Sequence, residues 1–346
     1  MKKKINPNSV AVKNGQLFGL NCSPEDSRIV ALPVPWDVTT SYRPGTVSGP
    51  RAILEASYQL DLYHPWLPEA WNLPLYLLPE NHSWLQTSKD LRPKSAAIID
   101  AMERGLPIKE DPQLFAWLAE INQKCQSLSQ ECYQIVKSRL QKQQRIICIG
   151  GDHSISLGPI RAYAEFFPQL SILHIDAHAD LRKAYEGFEE SHASIMHNVL
   201  KWCPNVTISQ IGLRDVCQEE VETIQNNPNI HAFFDWDIKK DMATGVTWEQ
   251  ITDRILDTLG NCVYVSFDID GLDPKLCPNT GTPVPGGLEL WQVQFLLEKI
   301  VDSGRLVVGA DLVEVAPDPS NQSEWDGNVG ARALLALALS LAKCLS

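Results

Sequence analysis

The chain has 346 residues, 44% of them hydrophobic, which is ample for a buried core and excludes an intrinsically disordered chain. Its formal charge of −12 and pI near 5.1 repel a phosphate backbone, so no nucleic-acid partner is expected. Nine cysteines run from Cys22 to Cys344 without a CxxC pair, which points to a reducing compartment. Met1-Lys2-Lys3-Lys4 opens like a signal peptide, but no apolar stretch follows it, and no apolar run reaches the roughly 18 residues that span a membrane. The expectation is a cytoplasmic protein that does not enter a membrane.

In chain order, residues 28–34 read as a strand. Residues 36–50, rich in Thr, Ser, Gly and Pro, read as an ordered loop, and 52–63 as a helix. Residues 64–109 hold Trp66, Trp71, Trp84 and many prolines without a clear period, so an irregular insertion is predicted there: a subunit contact, a lid or a surface excursion. Residues 112–143 carry apolar side chains at helical spacing, among them Leu114, Trp117, Leu118, Ile121 and Leu128. Strands follow at 145–150, 170–176, 206–213, 231–236, 262–268 and 305–313, with helices at 291–301 and 329–345. This order predicts one domain, residues 1–346, built on a mostly parallel sheet with helices on both faces. Such sheets bind ligands beyond the carboxyl ends of their strands, so polar residues there are the ones to examine.

Polar clusters close three of those strands. Gly150-Gly151-Asp152-His153-Ser154 turns sharply and presents His153. Asp176-Ala177-His178-Ala179-Asp180 puts its polar residues on one side if the strand stays extended, with small alanines between. In Ser266-Phe267-Asp268-Ile269-Asp270-Gly271-Leu272-Asp273-Pro274, Asp268 and Asp270 share a face by the same parity. Asp176, Asp180, Asp268 and Asp270 with His153 and His178 make four carboxylates and two imidazoles. Unpaired, the carboxylates would repel strongly, whereas two divalent cations would neutralise them. Carboxylate and imidazole ligands without thiolate suit Mn²⁺, Ni²⁺ or Fe²⁺, with Zn²⁺ also compatible. Such ions lower the pKa of bound water and make a nucleophile available at neutral pH. Of the remaining polar residues, His174 reads as a hydrogen-bonded core histidine, and Asp152 and Asp273 as turn-fixing groups.

GGDHS, DAHAD and SFDIDGLDP resemble, in order and spacing, the signature segments of the ureohydrolase (arginase/agmatinase) family. Residues 35–46, Gly49-Pro50-Arg51, 281–287 and 313–317 are similar to further family segments, and Asp180-Leu181-Arg182, Tyr185, Gly187 and Ser191-His192-Ala193 resemble the agmatinase-like branch. The resemblance implies a three-layer α/β/α fold with a central parallel sheet, assembled as a trimer or hexamer. It implies two divalent metal ions per chain, Mn²⁺ or alternatively Ni²⁺. His153, Asp176, Asp180 and Asp268 would hold one ion and His178, Asp176, Asp268 and Asp270 the other. Asp180 and His192 would serve proton transfer, and Glu314 would pair with the guanidinium of a small cationic substrate. The implied reaction is hydrolysis of agmatine to putrescine and urea. The loop after Asp180 lacks the Ser-Gly-Asn-Leu-His run of the arginase branch, and its Glu186, Glu189 and Glu190 are candidates to meet a distal ammonium. Guanidine, in a pocket closed by the Trp-rich stretch, and guanidinobutyrate, with Arg182 or Lys183 on its carboxylate, are the alternative substrates. A mononuclear zinc deacetylase and a non-catalytic metal-binding scaffold are the readings from other classes.

Overall fold

A computed structural model describes residues 6–345. The strands are β1 (Ile29–Val34), β2 (Leu75–Leu77), β3 (Arg145–Gly150), β4 (Leu170–Ile175), β5 (Thr207–Leu213), β6 (Ile230–Phe234), β7 (Cys262–Asp268) and β8 (Leu306–Val313). They form an eight-stranded sheet in the order β2-β1-β3-β8-β7-β4-β5-β6. Every pairing in it is parallel. Around it lie α1 (Gly49–Ser57), α2 (His82–Glu103), α3 (Pro112–Gln141), α4 (Leu157–Phe166), α5 (Ile195–Trp202), α6 (Gln218–Asn226), α7 (Asp235–Ala243), α8 (Trp248–Leu256), α9 (Leu290–Asp302) and α10 (Trp325–Lys343).

The layers follow from the pleat. Ile29 and Ala31 of β1 join one hydrophobic core, while Val30, Leu32 and Val34 join another on the opposite face. The first core takes side chains from α1, α8, α9 and α10, the second from α2, α3, α4 and α5. This is the three-layer α/β/α arrangement with the sheet buried on both sides. Among the described residues no helix is long and apolar enough to cross a membrane.

The stretch 64–109 departs from its sequence reading. Twenty-two of its residues form α2, capped by Asn81, whose side chain accepts from Ser83 N and Trp84 N. Its buried positions, Trp84, Ser88, Leu91, Ser95 and Ile98, keep helical spacing. Two of these are serines, and Pro93 sits inside the helix, so the apolar period is broken in the sequence although the buried stripe is not. The edge strand β2, only three residues long, was also not expected. Two boundaries shift as well. Pro50, with φ preset for a first turn, starts α1 at Gly49, and Asp235 and Trp236 belong to α7 rather than to a strand.

Candidate active site

The four strands at the middle of the sheet, β3, β8, β7 and β4, all end at one place, and each contributes to it. After β3, Gly151 lies where a Cβ would sit 2.0 Å from Trp36 O, so only glycine lets the turn press against the 36–40 segment. Asp152 then caps the turn His153–Ser156 through Ser154 N and accepts from both Thr39 N and Thr39 Oγ1, at 3.0 and 2.9 Å. His153 is thereby held with its ring inward and almost wholly buried.

The proton on His153 can be placed. Ser266 Oγ donates to Asp311 Oδ1 at 2.9 Å, so its oxygen is left to accept from His153 Nε2 at 2.9 Å. Neutral His153 then presents the bare lone pair of Nδ1 to Asp180, Asp176 and Asp268, whose nearest oxygens are 3.1, 3.2 and 3.4 Å away. That buried Nδ1 has no hydrogen-bond partner. His178 Nδ1 faces Asp176 Oδ1 at 3.3 Å and Asp270 Oδ2 at 3.2 Å. Asp176 therefore turns one oxygen to each group, Oδ2 towards His153 and Oδ1 towards His178.

These are sets of acceptors pointed at one another, an arrangement stable only around protons or cations. Burial together with the neighbouring Asp176 drives Asp180 up to about 6, and burial with Asp270 and Asp176 drives Asp268 well above the carboxylate range. Burial opposes charge on His153 and His178, yet the facing carboxylates hold both well above the usual imidazole range. Both shifts are the responses of acids and bases lacking a counter-charge, and the donor set fits a divalent cation at each group. His174 also lies within reach of the first group, but it does not offer a lone pair there: its Nε2 faces Asp176 Oδ2 at 2.8 Å and its Nδ1 is taken by Gln210 at 2.9 Å.

Asp176, His178 and Asp180 do come together, but not on the extended backbone that strand parity predicts. β4 stops at Ile175, and Asp180 adopts a left-handed conformation with φ 54°. Asp176, His178 and Asp180 converge because the chain curls, not because it stays extended. Asp270 is fixed from outside its own segment, accepting from Ala177 N at 3.1 Å and Thr282 Oγ1 at 3.1 Å.

Glu314, just past β8, is also left-handed (φ 62°). Its Oε1 accepts from His153 N at 2.9 Å, and its Oε2 is buried without a partner. Gly281 makes room for it, since a Cβ there would stand 3.2 Å from Oε2. Burial and the nearby Asp152 push the Glu314 carboxyl well above its ordinary range. The His192 backbone N–H donates to Thr39 Oγ1 at 3.0 Å, and its ring lies between Ser41 and Ser191. Burial, then the neighbouring imidazoles, lower His192 to about 3, so it is neutral at physiological pH.

A sequence model of the arginase family matches residues 27–341. The chain belongs to the arginase family. Among curated members it is 32% identical to an N(1)-aminopropylagmatine ureohydrolase of Thermus thermophilus over 313 residues, 89% of each chain. It is 30% identical to the agmatinase of Halalkalibacterium halodurans, covering 90% of this chain and 92% of that one. The fold matches the agmatine ureohydrolase of Thermoplasma volcanium with a TM-score of 0.68 at 23% identity, over 92% of this chain and 91% of that one. It matches the proclavaminate amidino hydrolase of Streptomyces clavuligerus with a TM-score of 0.70 at 22% identity, over 95% of this chain and 97% of that one. This arginase-family chain is an agmatinase-like ureohydrolase, a hydrolase of amidino carbon–nitrogen bonds.

The ureohydrolase site opens into a cavity of about 290 Å³. His153, His178, Asp180, Asp268, His192 and Glu314 all line it. The remaining wall includes Tyr42, Arg182, Tyr185, Asp215, Glu220 and Val284. Glu186, Glu189 and Glu190, the acids that the sequence suggested for a distal ammonium, do not line it, and neither does any tryptophan of the 64–109 stretch. Asp215 does: it is exposed and makes no side-chain hydrogen bond or ion pair among the described residues. Glu220 is committed elsewhere, accepting from Leu181 N and Cys217 N. Arg182 stacks on Tyr185, with its guanidinium 4.8 Å from the ring centre. Asp311, Gln210 and Asp215 lie in no motif and carried no sequence signal, and Ser266, although it opens the third signature segment, bonds to His153 and Asp311 only through strand adjacency.

Proposed function

We propose that the chain hydrolyses agmatine, or agmatine extended at its amine, to urea and the corresponding polyamine. The observation that carries this reading is the unpartnered Glu314 Oε2 in a cavity whose lining also includes the uncommitted Asp215. A substrate with a guanidinium at one end and an ammonium at the other has a carboxylate for each. The relatives' names, agmatinase and aminopropylagmatine ureohydrolase, support the same class. Guanidine is disfavoured because no tryptophan closes the cavity; of the two partners expected for guanidinobutyrate, Lys183 does not line the cavity, and Arg182 does so beside Glu220, whose carboxylate lies 4.0 Å from it.

In this reading His153, Asp176, Asp180 and Asp268 hold one divalent ion and His178, Asp176, Asp268 and Asp270 the other, Mn²⁺ first and Ni²⁺ as the alternative. When bound, the ions neutralise the carboxylates and make water nucleophilic at neutral pH. Glu314 receives the guanidinium and sets its carbon over the metal-ligand cluster. Asp180, which lines the cavity, accepts the proton from water. Neutral His192, also on the cavity wall, relays that proton, accepting it at one ring nitrogen as the departing nitrogen takes one up, without which the carbon–nitrogen bond does not break. Atoms balance as guanidinium plus water giving urea plus an ammonium. The chain acts in the cytoplasm as one domain, in a homotrimer or homohexamer.

The test is urea release by Mn²⁺- and Ni²⁺-loaded protein offered agmatine, N1-aminopropylagmatine, guanidine, arginine and 4-guanidinobutyrate. Turnover of either diamine-tailed substrate supports the proposal. Turnover confined to guanidine or to guanidinobutyrate replaces it.

A further inference from the structure

The segment Trp36–Thr40 is buried along its whole length, yet none of it is in a helix or strand. Its carbonyls therefore need donors from elsewhere. Trp36 O takes Asp152 N at 2.7 Å. Three others, Asp37 O, Val38 O and Thr40 O, converge on one nitrogen of Arg92, at 3.3, 3.2 and 2.6 Å. Arg92 belongs to α2, as does Ser88, whose hydroxyl accepts from Asp37 N and lies 3.3 Å from Asp37 Oδ1. The helix in the stretch 64–109 thus grips the backbone of a loop that belongs to the site.

That loop does two things at its far side. Thr39 Oγ1 both donates to Asp152 and accepts the His192 N–H. Ser41 Oγ, one residue past the last carbonyl held by Arg92, lies 3.4 Å from His192 Nε2. A second segment is held separately by α3, where Asn122 donates to Gly187 O and accepts from Glu189 N on the approach to His192. We propose that Arg92 is a positioning residue for His192, acting through the backbone of residues 37–40. A guanidinium suits the task because it stays charged and its rigid plane fixes where Nη1 sits: the short bond to Thr40 O takes one of its two hydrogens, and Asp37 O and Val38 O share the other. The inference rests on the reading of His192 as the proton relay.

Amide hydrogen exchange tests the grip without any turnover. In Arg92→Met the amides of Asp37, Thr39 and Gly45 should exchange faster, while those of α3 keep their protection. Unchanged exchange at those amides overturns the proposal. Kinetics test the consequence. Arg92→Met should lower kcat by about ten- to a hundredfold with a smaller change in KM, and Arg92→Lys should recover part of the loss. In a His192→Ala background, Arg92→Met should cost little more. An equal fall in both backgrounds overturns the route through His192. If His192→Ala alone leaves kcat unchanged, the functional reading of His192 fails and takes this inference with it. Should Arg92→Met not fold, Arg92→Lys read in the same two backgrounds decides.

Discussion

Gln210 decides which nitrogen of His174 carries the proton. Its Nε2 donates to Ala179 O at 2.8 Å, which fixes the amide's orientation because a carbonyl can only accept, and the same nitrogen faces His174 Nδ1 at 2.9 Å. His174 Nδ1 therefore accepts, and its Nε2–H donates to Asp176 Oδ2. The other oxygen of Asp176 takes the His178 N–H at 2.7 Å. Each oxygen is anchored by one donor and keeps a lone pair for the cluster. Gln210→Leu removes the anchor behind His174, and we expect metal affinity to fall about 10–100-fold, measured by competition with a chelator. Affinity within a factor of two of the parent would show that Asp176 needs no such support.

Stripping metal should destabilise the fold. Asp176, Asp180, Asp268 and Asp270 are all buried and face one another around His153 and His178. Ions bound to the native state alone add stability by mass action, about 2.7 kcal/mol at a hundredfold excess over Kd. Chelation followed by buffer exchange should lower the melting temperature, and returned Mn²⁺ should restore it. An unchanged melting temperature in protein shown by elemental analysis to be metal-free would contradict the placing of metal in this cluster.

A pH effect should arise away from the cluster. Glu186 (φ 53°) and Gly187 (φ 80°) form the tight turn between Tyr185 and Phe188, which exchange backbone hydrogen bonds at 3.1 and 2.8 Å. Burial first, then Glu103, raises Glu186 to about 7, against the 4.5 expected of an unfolded chain. Between those values the folded chain keeps a proton that the unfolded chain has lost, so this group's contribution falls as pH rises from 4.5 to 7. Glu186→Gln removes the penalty. The variant should melt roughly 1–2 °C above the parent at pH 8 and level with it below pH 4.5. A gain that is the same at both pH values would refute the assignment to this carboxyl.

Much of this was legible in the chain, and the gaps have physical reasons. The βα rhythm from residue 145 onwards gave the sheet, and three strand-end segments gave the cluster, because a parallel strand ends where its sequence turns polar. α2 was hidden because Ser88 and Ser95 stand in its buried stripe, where hydropathy reads them as surface. Those serines are not passive: Ser88 bonds to Asp37, and Ser95 to Arg92 O. Asp215 was missed for another reason. It follows β5, and β5 adjoins β4 only in the folded sheet order, so an acid 35 positions after Asp180 reaches the cavity while the nearer glutamates of the 186–190 loop do not. Local composition suggested those glutamates, and strand adjacency selected Asp215.

The same adjacency makes one distant glycine matter to the site. Gly158 sits in the first turn of α4, directly after the turn that carries His153. There α4 meets α3 so closely that a Cβ would lie 2.0 Å from Ser129 O and 3.0 Å from Tyr133 N. Both are backbone atoms of a thirty-residue helix and cannot swing aside as a side chain can. Alanine at 158 is otherwise a better helix former than glycine, by about 1 kcal/mol, so propensity and packing pull in opposite directions. The contact should win, because α4 must shift bodily to relieve it. We expect Gly158→Ala to lose about 2–3 kcal/mol, which for a chain of this length is roughly 3–4 °C of melting temperature. Since α4 cannot move without the His153–Ser156 turn, the variant should also release metal faster at temperatures where it is fully folded. A melting temperature at or above that of the parent would mean that the two helices are not locked at this crossing.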